Sequence, residues 1–211
     1  MRVWGSQPQR GLGQSPRTLP RTLGDPRAST RGVWPLPDET IRINRAPVLT
    51  LWAAIVAERL GYDADAAATM GKWVAGANAQ AKGRSLGIYG PRTGERGAEE
   101  GARRGEEFSV EVCGRSVPAK RTPEGIRAVV GDEPLDPAPV HRYLQTKFGE
   151  ALPAARAALV ELAGAYSPEE LADQAFRLYE QFRPQVAKGQ RGWGQQGELD
   201  LGLVWSLAQR G

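Results

Sequence analysis

The chain has 211 residues, 40% hydrophobic and 25% charged, which allows a sizeable buried core and lies far from the composition of a disordered chain. One cysteine, Cys113, excludes an intramolecular disulfide and fits a reducing compartment. A net charge of +4 points at face value to an acidic partner, but residues 1–37 alone carry six arginines against one aspartate. That stretch exceeds the net charge of the whole chain, so the remainder is close to neutral and pI is poor evidence for a nucleic-acid partner.

Residues 1–37 also hold six prolines and five glycines and show no helical or alternating periodicity. Such a segment buries too little apolar surface to offset its ordering entropy, so it is expected to be a disordered tail. It is not a secretory signal, because it lacks an apolar central stretch, and no run of about 18 apolar residues exists anywhere to cross a membrane.

Residues 38–90 read as a helical hairpin resembling a helix-turn-helix. Val48, Leu51, Trp52, Ile55, Val56 and Leu60 recur at helical spacing. Asn44 suits the N-cap, Pro47 the first turn and Gly61 the C-terminal stop. Asp63 then caps a second helix over 64–81. Ala67, Gly71, Ala75 and Ala79 recur on it every four positions, a flat stripe that admits a close helix neighbour.

Residues 91–107 are rich in Gly, Glu and Arg and predict a flexible loop. Alternation from Phe108 to Ala119, with Gly114-Arg115 as the turn, predicts a small β-hairpin that must lean on helices. Farther on, Asp136-Pro137 opens a helix that Gly149 ends, and Pro153 opens the next. Ser167-Pro168-Glu169-Glu170 is a capping box ahead of a helix that stops at Pro184. The polar loop 188–197 follows. Leu199 to Ala208 reads either as a strand, from its alternation, or as a final helix, the preferred reading. The expectation is a mainly α fold: residues 38–90 and 108–211 packed as one compact multi-helix domain with an inserted β-hairpin and a disordered N-terminal tail.

The chemistry-bearing residues exclude more than they include. One histidine and one cysteine do not make a zinc site, and no acid–histidine pair has helical spacing. His141 is expected on a helix surface or semi-buried, and Cys113 as a packing residue of the hairpin. Residues 192–197 spell G-x-G-x-x-G, yet no strand precedes them and the chain ends soon after, so a dinucleotide site is rejected. Neither cofactor nor metal is implied, and a non-enzymatic role is preferred.

A charge pattern remains. No acidic residue occurs between Asp65 and Glu95, while Lys72, Lys82, Arg84 and Arg92 do. Arg115, Lys120 and Arg121 cluster on the hairpin. Lys188 and Arg191 flank Trp193, and basic residues around an aromatic suit phosphate contact with base stacking. The expected function is therefore a nucleic-acid-binding or regulatory protein. Its phosphate contacts come from Lys72, Lys82, Arg84, Lys188, Arg191 and Trp193. The alternatives are an enzyme or binding protein for a small anionic metabolite, held by Arg84, Arg191 and Trp193, and a protein–protein scaffold using the alanine-rich helix.

Three stretches, INRAPVLTLWAAIVAERLG (43–61), AQAKGRSLGIY (79–89) and KGQRGWGQQGELDLGL (188–203), resemble a group of conserved bacterial proteins of unknown function. The resemblance covers about 40–211. It implies a bacterial, cytoplasmic setting and a start near Asp38, and it transfers no activity to any residue.

Overall fold

The computed structural model describes residues 40–85, 107–186 and 195–210. The expected tail at 1–37 lies outside them, as does the expected loop at 91–107 except for Glu107, which begins a strand.

The fold is built around one enclosed helix. Helix α1 (Arg45–Arg59) is buried without a break from Pro47 to Ala57, the signature of a helix surrounded on all sides. Asn44 occupies its N-cap with extended backbone, but the Asn44 side chain makes no capping hydrogen bond, contrary to expectation. Gly61 turns the chain at φ +98°, a conformation that glycine adopts without strain. Asp63 Oδ1 then accepts from Ala66 N at 2.8 Å and caps α2 (Ala64–Ser85), which runs one turn beyond its predicted end.

The small-residue stripe is where α1 and α2 meet. A Cβ placed on Gly71 would run into the carbonyl oxygen of Thr50 and lie 3.0 Å from Ala54 N. Ala67 and Ala75 on the same stripe are buried. Three of the four stripe residues are thus covered within the protein, and Ala79 is half-buried.

Helix α3 (Pro137–Phe148), capped by Asp136, α4 (Leu152–Gly164) and α5 (Pro168–Phe182) complete the jacket, and each packs on α1. The capping box at Ser167 and Glu170 forms with both reciprocal bonds. Trp52 anchors α1 to α5 by donating from Nε1 to Ala175 O at 2.8 Å, with its ring edge-on to Phe182.

The β content is larger than the expected hairpin. Strands β2 (Glu107–Val112), β3 (Arg115–Thr122), β4 (Gly125–Val130) and β5 (Glu133–Pro134) form an antiparallel meander in that order. The hairpin turn falls on Cys113-Gly114, one residue earlier than expected. Both residues have positive φ, +51° and +65°, as a type I′ connection requires. Thr69 Oγ1, buried on α2, accepts from Ala128 N at 3.0 Å and ties β4 to the helix.

A second ribbon closes the chain. Strand β1 (Thr40–Ile43) pairs antiparallel with β6 (Gly197–Asp200), with Ile41 opposite Leu199. Both readings of the terminal stretch therefore hold in part. The strand ends at Asp200, whose Oδ1 accepts from Leu203 N at 3.0 Å, and α6 (Leu201–Ala208) begins. No helix among the described residues is long and apolar enough to cross a membrane.

Candidate functional site

The contact of Gly71 with Thr50 and Ala54 sets the register of the helical hairpin. From that contact, the end of α2 lies 14 residues away at Ser85, whereas the start of α1 lies within nine residues at Arg45. At about 1.5 Å per residue, the last two turns of α2 project past the N-terminus of α1. Lys82 and Arg84 are exposed on those turns. The C-terminal end of a helix carries partial negative charge, which the two cations complement. The Ser85 hydroxyl also donates to Lys82 O at 2.8 Å.

The root of the polar segment lies at the same end of α1. Arg45 Nε donates to Pro184 O at 3.0 Å. Gln185 and Glu198 exchange two backbone hydrogen bonds of 3.0 Å each, extending the β1–β6 ribbon by one bridge. The chain between them carries Lys188, Arg191 and Trp193, which lie outside the described residues. Gly197, last glycine of the G-x-G-x-x-G string, has a local explanation. A Cβ there would sit 2.7 Å from Gln185 O, so the glycine permits strand contact. Around this root, Arg42 pairs with Glu198 at 3.8 Å and Arg183 with Glu180 at 3.0 Å.

The structure separates Lys72 from this end. Its Nζ stands 4.9 Å from the centroid of the Tyr143 ring, a cation–π contact with α3. Ten residues of helix, about 15 Å, lie between it and Lys82. On the meander, Arg121 covers the Phe108 ring at 5.8 Å. Cys113 is a packing residue, as expected. Burial pushes its thiol up to about 12, so it stays protonated and weakly nucleophilic at neutral pH.

Two constellations at the other end of the hairpin were not legible in the sequence. Arg127 of β4 is buried and reaches Asp65 at 3.5 Å and Asp63 at 3.9 Å. Its guanidinium also donates to Ile126 O and Glu124 O. His141, half exposed on α3, sits with Nε2 3.1 Å from Asp65 Oδ1. The pair joins two helix surfaces. A cleft of about 310 Å³ opens beside His141, floored by Leu51, Leu144 and Leu152 and edged by Glu58 and Arg156. Among the described residues no group of three or more His, Cys, Asp or Glu side chains is placed to hold a metal ion.

No family model matches the chain, and neither a curated protein nor a solved structure matches it.

Proposed function

We propose that this protein binds nucleic acid without catalysing a reaction, through the end of the molecule where α2 terminates. Lys82 and Arg84 supply phosphate contacts from the projecting turns of α2. Lys188 and Arg191 supply others from the segment rooted at Gln185 and Glu198, and Trp193 stacks on a base. One observation carries this reading. The antiparallel hairpin brings the end of α2 and the root of the 187–194 segment to the same end of α1, although they are about a hundred residues apart in sequence. Lys72 is left out of the contact set because about 15 Å of helix separates it from Lys82.

The test is fluorescence anisotropy with labelled single-stranded RNA, single-stranded DNA and duplex DNA at low salt. The full chain is expected to bind at least one of them. Charge reversal at Lys82 and Arg84 should weaken that binding by about tenfold or more, the loss of two phosphate contacts. Absence of binding to all three ends the reading. Binding of a small phosphate ester, with none of the oligonucleotides, would favour the anionic-metabolite alternative.

A further inference from the structure

The cleft between α1, α3 and α4 is remote from the α2 terminus, and its lining has a composition of its own. Its floor is aliphatic: Leu51 and Leu144 are buried there, and Leu152 is half-buried. Its rim holds one carboxylate, Glu58, one guanidinium, Arg156, and the His141 imidazole, which is paired with Asp65. Arg156 uses a single nitrogen, Nη2, to bond both Glu58 oxygens, at 2.9 and 2.7 Å. Among the described residues nothing bonds its Nη1 or Nε. An arginine has five N–H donors in a planar fork, and most of this fork remains on offer. The Gln145 amide also lines the cleft and makes no hydrogen bond to another described residue.

This lining selects by charge. A lone anion reaching for Arg156 meets Glu58, and a lone cation reaching for Glu58 meets Arg156. A zwitterion satisfies both groups, because its two charges match the pair without leaving either partner opposed. An aliphatic group on the same ligand covers the leucine floor, where removal of apolar surface from water drives binding. The cleft, about 310 Å³, lies at the small end of the roughly 300–1,000 Å³ typical of ligand sites. It does not suit a nucleotide.

We propose that this cleft is a binding site for a free amino acid with an aliphatic side chain. The ligand carboxylate takes the open donors of Arg156, the ammonium group takes Glu58 and the Gln145 carbonyl, and the side chain lies on Leu51, Leu144 and Leu152. The site is separate from the nucleic-acid reading and stands without it.

Isothermal titration calorimetry of the full chain with L-leucine tests it. The controls are 4-methylpentanoate, which lacks the ammonium group, and 3-methylbutylamine, which lacks the carboxylate. Leucine is expected to bind, with each control weaker by about tenfold or more, the cost of one lost charged contact. Arg156→Gln should weaken leucine by a similar factor. Because that change also breaks the pair with Glu58, Ala64→Phe supplies an independent variant. Ala64 is exposed and lines the cleft, so the larger side chain obstructs it while both charges remain. It should abolish binding with little change in thermal melting. Charge reversal at Lys82 and Arg84 should leave leucine binding untouched. Absence of leucine binding at millimolar concentration overturns the proposal, as does 4-methylpentanoate binding as tightly as leucine.

Discussion

Gly71 faces the backbone carbonyl of Thr50 with no room for a methyl group between them. This approach lets α2 lie flat along a buried α1, and it fixes which residues of the two helices stand level. Gly71→Ala should therefore destabilise the protein, although alanine is the better helix former. Overpacking costs typically about 1–3 kcal/mol. Gly76 on the same helix has nothing within 4 Å of an added Cβ, and Gly76→Ala should stabilise by about 0.5–1 kcal/mol. Urea unfolding of the two variants measures the contrast.

The buried guanidinium of Arg127 predicts an asymmetry. Asp63 and Asp65 are about half exposed and stay hydrated if Arg127 is lost. Buried Arg127 keeps only the Ile126 and Glu124 carbonyls, and no counter-charge, if they are. Asp63→Asn with Asp65→Asn keeps the amide oxygen available for the α2 cap but strands the cation, and should cost about 2–3 kcal/mol. Arg127→Met should cost less than about 1 kcal/mol, since an apolar side chain of similar volume suits the site. Equal costs, by chemical denaturation at pH 7, would contradict the geometry.

Acid sensitivity follows from the start of α5. Hydrogen bonds from Ser167 hold the Glu170 carboxyl below its ordinary value of 4.5. A lowered folded pKa means that the ionised group adds stability above the unfolded value, and the contribution is lost as pH falls through the folded one. Glu170→Gln should lower thermal stability at pH 7, and the difference from the parent should narrow as pH falls below 4.5 and Glu170 of the parent protonates.

At the alkaline end the signs reverse. Burial raises the Cys113 thiol from 9.0 to about 12 and the Tyr179 phenol from 10.0 to about 12. In each case the unfolded chain ionises first, so stability is complete below the unfolded value and declines as pH climbs toward the folded one. Melting temperature should fall from about pH 9. Cys113→Ala should remove the first part of that decline and leave the part beginning near pH 10. At pH 8 a thiol reagent should modify Cys113 only as fast as the protein opens.

What was legible in the sequence was local. The caps at Asp63, Asp136 and Ser167 and the stops at Gly61 and Gly149 depend on a few neighbouring residues, and they fell where the sequence placed them. Strand β1 is four residues long and acquires its meaning from β6 at the far end of the chain, a pairing that no local pattern encodes. Strand β4 carries Arg127 at its middle, and that charge hides a buried strand unless Asp63 and Asp65 are known to be beside it. The cleft escaped for the same reason, since Glu58 and Arg156 stand 98 residues apart. The contact of Lys72 with the Tyr143 ring was not legible, because the ring comes from another helix. Lys82 and Arg84 are exposed on the last turns of α2, which run beyond the helix end read from the sequence.

The salt dependence of oligonucleotide binding tests the central claim most directly. Four cations from two separate stretches contacting phosphate predict a slope of log K against log salt of about −3.6 on duplex DNA. Lys82→Gln with Arg84→Gln should reduce that slope by about 1.8, and Lys188→Gln with Arg191→Gln by the same amount. Binding whose slope neither pair alters would contradict the account.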